Sequence, residues 1–384
     1  MKVALVHDYL NQYGGAERVL DEMKRIWPDA PVFTSIYAPE RMPARYRDWD
    51  IRTSWLNRIP FASRKHQALL PLLPQAFESF DFTGFDIVVS SSSGFAHGIL
   101  PPPGVPHLCY CHSPPRFLWD YHAYARREGL GRRTRLGLSL FLTRLRTWDR
   151  AAADRADRWL TTSRVMRARI GQVYGKDSVI VPCPVDTGRF AQEARQGDGY
   201  YLMLMRLVGW KRPDIVVDAC TRLDLPLVVA GDGRELAVLQ RSAGPRVKFV
   251  GRVDDAAMRD LYRDCTALIL PSEEDFGITP LEAMAAGRPV IAFGRGGALD
   301  TVRPGVTGRF FDAQTAESLV DALREFRVDD YDSATICAHA ASYDSARFRD
   351  RLRAEAERLF QEHATLAPIA EPRVVHSQPT DLAA

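Results

Sequence analysis

The amino-acid sequence predicts an α/β protein made of two Rossmann-like, doubly wound parallel-sheet domains that face each other across a central cleft. Three observations lead there. Short β-rich apolar runs alternate with helical stretches along the chain, the pattern of parallel strands joined by crossover helices. The chain has 384 residues and is 46% hydrophobic, enough for two full cores. Turn formers gather from Pro182 to Gly188 and at Gly197-Asp-Gly199, between two periodic regions.

In chain order, front-half strands are expected at Val3–His7, Val32–Ile36, Ile87–Ser90, Leu108–Cys111, Trp159–Thr162 and Val179–Val181. Back-half strands are expected at Tyr201–Met205, Leu227–Ala230, Val247–Val250, Ala267–Leu270 and Val290–Phe293. Phe348, Leu352 and Leu359 share a stripe, so Arg347–Glu362 reads as a last helix; beyond it the chain carries prolines and no periodicity. The predicted organisation is a front domain (1–186), a linker (187–199), a back domain (200–345), a helix returning to the front domain (346–363) and a disordered tail (364–384). In such folds ligands bind outside the carboxyl ends of the strands, so the loops that follow strands are where chemistry is sought.

Composition narrows the function classes. The apolar fraction excludes disorder, and six cysteines in 384 residues are too few for a disulfide framework. Met1-Lys-Val-Ala-Leu-Val-His7 meets a charge too early for an export signal, and the longest uncharged stretch, Ile87 to Pro115, is broken by serines, prolines and glycines. A soluble chain with reduced thiols is expected.

The net charge of +3 hides an asymmetry: 27 Lys and Arg face 18 Asp and Glu up to Phe190, against 24 and 30 after it. Eight of those arginines lie between Arg126 and Arg150. On a helical wheel Leu138, Phe141, Leu142, Leu145 and Trp148 gather on the side a core would take. Arg132, Arg135, Arg144, Arg146 and Arg150 spread over the other face with Leu136 and Leu140 among them, and the patch Arg132, Arg133, Arg135, Leu136 and Leu140 suits an anionic membrane surface or an acceptor. A plain solvated face accounts for it equally. Nucleic acid is not expected, because interleaved aromatics and a recognisable module are missing.

The sharpest motif follows the strand Ala267–Leu270: Pro271-Ser-Glu-Glu274-Asp-Phe-Gly277-Ile-Thr-Pro280-Leu-Glu282-Ala-Met-Ala-Ala-Gly287. Thr279 as N-cap, Pro280 at the first helical position and Glu282 at the third read as a capping box. That reading needs neither Glu274 nor the Phe276-Gly277-Ile278-Thr279 turn. A glycine there lets backbone N–H groups approach a sugar or diphosphate, and the helix start adds partial positive charge. Glu274 and Glu282 on either side can accept hydrogen bonds from vicinal hydroxyls. After the strand ending at Met205 comes Arg206-Leu-Val-Gly-Trp-Lys211, two cations placed to meet negative charge on a leaving diphosphate.

Glu274-x7-Glu282 with the following Glu-Ala-Met-Ala-Ala-Gly-Arg-Pro-Val-Ile and Gly296-Gly297 resembles the signature of family 4 retaining glycosyltransferases of the GT-B fold. The likeness runs to about Phe360 and, through Ser272–Pro280 and Val6-His-Asp-Tyr9 with Gly14-Gly-Ala-Glu17, is nearest to bacterial O-antigen and capsule mannosyltransferases. It implies that Glu274 contacts the donor sugar and Glu282 the nucleotide ribose, that Arg206 and Lys211 hold the diphosphate, and that His112 contacts the sugar. It implies further that Gly15 keeps the first loop open and that Gly231, in Gly231-Asp-Gly233, turns near the nucleotide base. One departure stands out: Asp275 occupies a position where the family usually has glycine.

The resemblance implies a hexosyltransferase that moves mannose from GDP-mannose to a glycan or polyprenyl-linked acceptor. No cofactor and no metal are expected, and the location is cytoplasmic, peripheral to the inner face of the cell membrane. A nucleotide-sugar 2-epimerase or a non-catalytic GT-B subunit are the alternatives. His107, Cys109, Cys111 and His112 lack the C-x2-C or longer gaps of zinc sites. Asp48-Trp-Asp50 and Asp330-Tyr-Asp332 follow no strand at the cleft edge and read as solvated turns.

Overall fold

The computed structural model describes residues 1–366 apart from 65, 128, 130 and 191–198. Seven parallel strands form the front sheet: β1 (Val3–His7), β2 (Val32–Thr34), β3 (Ile51–Thr53), β4 (Ile87–Ser92), β5 (His107–Cys111), β6 (Arg158–Thr161) and β7 (Val179–Ile180), in the spatial order 3-2-1-4-5-6-7. Six more form the back sheet: β8 (Tyr201–Leu204), β9 (Leu227–Ala230), β10 (Val247–Gly251), β11 (Ala267–Leu270), β12 (Val290–Phe293) and β13 (Gly308–Phe311), in the order 10-9-8-11-12-13. Strands such as Val3–His7 and Ala267–Leu270 are buried throughout because helices cover both faces of a parallel sheet.

Strand order reverses between β1 and β4 in front and between β8 and β11 behind. At such switch points neighbouring loops leave in opposite directions and open a crevice. Four loops therefore meet there, those after β1, β4, β8 and β11.

Two strands escaped the sequence reading. β3 and β13 are short edge strands, half exposed in part, with Arg52 and Arg309 interrupting their apolar pattern. The serine run after Ile87 is strand as far as Ser92, paired with β5 through Ser90–Cys109, Ser91–Tyr110 and Ser92–Cys111. Its hydroxyls can lie inside the sheet because each meets an imidazole: Ser90 Oγ is 2.7 Å from His107, Ser91 Oγ 2.8 Å from His112 and Ser92 Oγ 3.3 Å from His97.

The chain crosses between domains twice at one place, where Ser345 N donates to Val185 O at 2.9 Å. The linker expected from 187 begins instead as a short helix, Thr187–Phe190, whose buried Phe190 packs on Tyr262 with ring centroids 5.5 Å apart. Residues 191–198 of that linker lie outside the described residues. The last helix spans Ser345–Leu366, past the expected end at 363. Most of the tail, 367–384, lies outside the described residues. This helix returns to the front domain: Phe348 sits edge-on to Tyr110 of β5, Arg349 donates to Glu22 at 2.5 Å, and Arg158 of β6 donates to Glu355 at 3.1 Å and Glu362 at 2.6 Å.

The basic segment forms the helix Arg132–Ala152. Leu142 and Leu145 are buried, but Phe141, expected beside them, is 42% exposed. Gly137 is exposed too, and a Cβ there would meet nothing within 4 Å. The side chains of Arg132, Arg133, Arg135, Leu136, Leu138 and Leu140 lie outside the described residues. Among the described residues no helix is long and apolar enough to cross a membrane.

Phe348→Ala removes a ring that is 3% exposed, and such truncations cost about 3–5 kcal/mol. Urea denaturation should show that loss, with the last helix becoming accessible to protease before the two sheets do.

Candidate active site

The loops after β1, β4, β5, β8 and β11 line a cleft of about 740 Å³ between the two domains. Its walls hold Arg206, Lys211, Glu274, Phe276, Gly277, Ile278, Thr279 and Glu282 from the back domain and Gly15 and His112 from the front. Gly231 is not among the lining residues. It stands behind them with φ 132°, and a Cβ there would fall 1.9 Å from Met205 O, so the glycine lets the Arg206 loop lie flat on the next strand's turn.

The helix after β11 begins two residues earlier than the capping-box reading expects. It runs Ile278–Ala285 with Gly277 as N-cap at φ 87°, so Thr279 is already helical and Pro280 uses an N–H-free position of the first turn. Glu282 then has no capping duty. Its carboxylate accepts from Tyr262 Oη at 2.9 Å and from Arg18 Nη1 at 2.9 Å, the latter reaching across the cleft from the front domain. Arg18 was missed as a site residue; the only signal for it was its place one turn into the helix that Gly14-Gly15 opens.

Glu274 accepts from Lys211 Nζ at 2.9 Å and from Ser272 Oγ at 2.7 Å. Burial alone would raise its pKa, but Lys211, Ser272 and the nearby Arg116 outweigh burial and hold the carboxyl below the usual glutamate range. Lys211 also lies over the Trp210 ring, 5.2 Å from its centroid. Arg206 is exposed into the same cleft and has no acidic partner among the described residues.

Asp275, the departure from the family pattern, has partners in the opposite lobe. Its carboxylate pairs with Arg116 and, at 3.3 Å, with Arg169, both from the front domain, while Ser163 Oγ donates to its backbone carbonyl at 2.6 Å. The extra acid ties the β11 loop to the opposite lobe.

On the front side Asp8, at the end of β1, accepts from Ser93 N at 2.6 Å, Phe95 N at 2.7 Å and Ala96 N at 2.8 Å, and so shapes the loop after β4. A Cβ at Gly94 would be 3.1 Å from its Oδ1. One at Gly15 would be 3.6 Å from Ile278 Cδ1, so the diglycine faces the helix start of the other domain. His112 follows β5 with Nε2 2.8 Å from Ser91 Oγ. Burial, with His7 adding to it, pushes its pKa down to about 4, so it is neutral near pH 7. Tyr9, Leu70, Leu73, Phe95, Phe117 and Tyr124 close the cleft's front end with an apolar, largely aromatic wall.

Two family descriptions match consecutive parts of the chain: "Glycosyltransferase Family 4" over residues 13–189 and "Glycosyl transferases group 1" over 185–342. The chain belongs to glycosyltransferase family 4. Among curated relatives it is 32% identical to the D-inositol 3-phosphate glycosyltransferase of Actinosynnema mirum over 44% of this chain and 48% of that protein. It is 28% identical to the GDP-mannose-dependent alpha-mannosyltransferase of Mycolicibacterium smegmatis over 84% of this chain and 87% of that one. Against the first relatives the matched region spans about half their length. Solved structures share the GT-B fold. Anabaena HepE in complex with UDP aligns at TM-score 0.70 and 17% identity over 93% of this chain and all of its own. Sucrose-phosphate synthase from Thermosynechococcus elongatus aligns at 0.62 and 19% over 95% and 98%.

Family 4 membership is thus carried by both lobes, and the cleft residues belong to both. Among the described residues no group of three or more His, Cys, Asp or Glu side chains is arranged to hold a metal ion. His107 is buried against Ser90, and burial pushes the Cys109 thiol up to about 12.

The Glu274 pair sets a pH test. Its folded pKa lies below that of a free glutamate, about 4.3, so the pair contributes stability above that range and loses it as pH falls through the folded value. Lys211→Met removes the largest opposing charge and should raise the Glu274 titration, read by carboxyl carbon NMR. An unchanged titration would show that the pair does not hold the carboxylate.

Proposed function

We propose that this family 4 chain is a retaining, metal-independent glycosyltransferase that moves mannose from GDP-mannose to a glycan or lipid-linked oligosaccharide acceptor in surface polysaccharide synthesis. One observation carries the reading: Arg206 and Lys211 from the loop after β8 and Glu274 and Glu282 from the segment after β11 converge on one interdomain cleft. A non-catalytic subunit would have no use for that complete set.

The chemistry follows from the charges. As the bond from the anomeric carbon to the diphosphate breaks, negative charge grows on the leaving oxygen, and fixed cations stabilise it most where water is scarce. Arg206 is the cation whose charge is uncommitted within the described residues; Lys211 has three N–H donors and can keep Glu274 while reaching a phosphate oxygen. Glu274 then meets the sugar hydroxyls, Glu282 the ribose, and His112 the sugar from the front side. In front-face displacement the departing diphosphate oxygen itself accepts the acceptor's proton, so no separate base is needed. The neutral state of His112 suits a hydrogen-bonding role.

Mannose is favoured by the likeness, over 84% of this chain, to a GDP-mannose-dependent alpha-mannosyltransferase. The solved neighbour with UDP makes a uridine donor the competing choice. The aromatic wall formed by Phe95, Phe117 and Tyr124 supports an acceptor site at the front end of the cleft, since sugar rings and prenyl chains both pack on aromatic faces. The exposed Phe141 on the arginine-rich helix supports a peripheral contact with the cytoplasmic membrane face.

Thermal-shift screening with GDP, UDP, ADP and their sugars in the presence of EDTA tests this. GDP and GDP-mannose should raise the melting temperature; silence from all nucleotides would overturn the reading. Arg206→Ala should lower kcat on the order of 10²–10³ with the chelator present, the cost of removing one donor to a developing oxyanion.

A further inference from the structure

Behind the cleft, four side chains stand in line. Glu17 Oε1 is 3.4 Å from His7 Nε2, His7 Nδ1 is 3.1 Å from Ser91 Oγ, and Ser91 Oγ is 2.8 Å from His112 Nε2. The backbone sets this spacing. His7 and Ser91 are opposite one another on β1 and β4, His112 follows the end of β5, and Glu17 belongs to the first turn of the helix Gly15–Ile26. His7, Glu17 and Ser91 are at most 4% exposed, so water does not interrupt the line.

Hydrogen-bond polarity along such a line is fixed by its end. Burial would raise the Glu17 carboxyl, but His7 and the Gly14 N–H, which donates to Oε2 at 2.7 Å, outweigh burial and hold it below the usual range. An ionised carboxylate only accepts. Where the His7 ring carries a single hydrogen, that hydrogen sits on Nε2 facing the carboxylate, which leaves Nδ1 as an acceptor for the Ser91 hydroxyl hydrogen. Ser91 Oγ, having given its one hydrogen, accepts from His112 Nε2–H. The remaining ring nitrogen, His112 Nδ1, has no protein partner among the described residues, and the ring lines the cleft.

We propose that Glu17, acting through His7 and Ser91, fixes His112 as its Nε2–H tautomer, so that Nδ1 presents a lone pair to a hydroxyl of the donor sugar. Glu17, His7 and Ser91 are positioning residues. The tautomer assignment stands on this geometry with an ionised Glu17 beside a singly protonated His7 ring; the sugar contact rests on the glycosyltransferase reading above. The polarity determines what His112 can recognise: it takes a hydrogen from a hydroxyl and rejects a group that can only accept.

Glu17→Gln is the decisive substitution. Its side-chain carbonyl can still accept from Gly14 N, which leaves the amide NH2 facing His7 Nε2. Every bond in the line then reverses, and His112 becomes the Nδ1–H tautomer. Long-range proton–nitrogen NMR of the full chain labelled at histidine nitrogens reads both rings. The expected result is Nε2–H at His7 and His112 in the native protein and Nδ1–H at both in Glu17→Gln. A native His112 that is Nδ1–H or an imidazolium, or one that Glu17→Gln leaves unchanged, overturns the proposal. Ser91→Ala cuts the line without touching either end; on that background Glu17→Gln should no longer alter His112, and if it does the coupling does not run through Ser91. Kinetically, Glu17→Gln should lower kcat/KM for the sugar nucleotide about tenfold, the value of one hydrogen bond, and leave the affinity for the nucleoside diphosphate alone within about twofold. Equal losses for both ligands would mark Glu17 as merely structural. Absence of any nucleotide binding by the native chain would defeat the glycosyltransferase reading and leave the tautomer result to be judged by NMR.

Discussion

A carboxylate held in a cleft between two domains needs a cation or several N–H donors within reach, because its desolvation is otherwise too costly. The site is organised around that constraint. Asp8 meets it with three backbone N–H groups of the loop after β4. Glu274 meets it within its own domain through Lys211. Glu282 and Asp275 meet it from the opposite lobe, through Arg18 and through Arg116 and Arg169. Satisfying these acids therefore does two jobs at once: it fixes where each acid points, and it draws the two lobes together. Arg206 stands outside this accounting, which leaves its charge available to an anionic ligand.

Close backbone packing is the second condition. A Cβ at Gly297 would fall 2.3 Å from Phe276 O, and one at Gly296, where φ is 64°, would fall 2.4 Å from Glu274 O. The chain after β12 thus lies directly against the β11 loop, and Gly297 N donates to Glu274 O at 2.7 Å. Side chains at this pair would lift the loop and move Glu274 relative to Lys211. The diglycine is a spacing device for the acid above it.

Much of the fold was legible because parallel strands covered on both faces are written as continuous apolar runs; β9, β11 and β12 have the bounds read from sequence. β3 and β13 were not, since an edge strand bonded on one side tolerates an arginine in its middle. Ser91 and Ser92 fell outside the expected strand because a hydroxyl's suitability for a sheet interior depends on partners, here histidines at positions 7, 112 and 97, that only the fold supplies. The same limit applies to the site. Glu274, Glu282, Arg206 and Lys211 were visible through local spacing after strands. Arg18 and Arg116 were invisible, because their partners lie 264 and 159 residues away and nothing in either segment names the other.

The N-cap of the helix Ile278–Ala285 shows how one local misreading can conceal a function. Thr279 and Glu282 have the spacing of a capping box, and on that basis the glutamate could be dismissed as a helix start. Gly277, at φ 87°, begins the helix two residues sooner than that box allows. Only because the left-handed glycine takes the cap is the Glu282 carboxylate released to Tyr262 and Arg18. A glycine chosen for its backbone conformation thus decides which acid is structural and which faces the cleft, and a β-branched residue at 277 would compromise both.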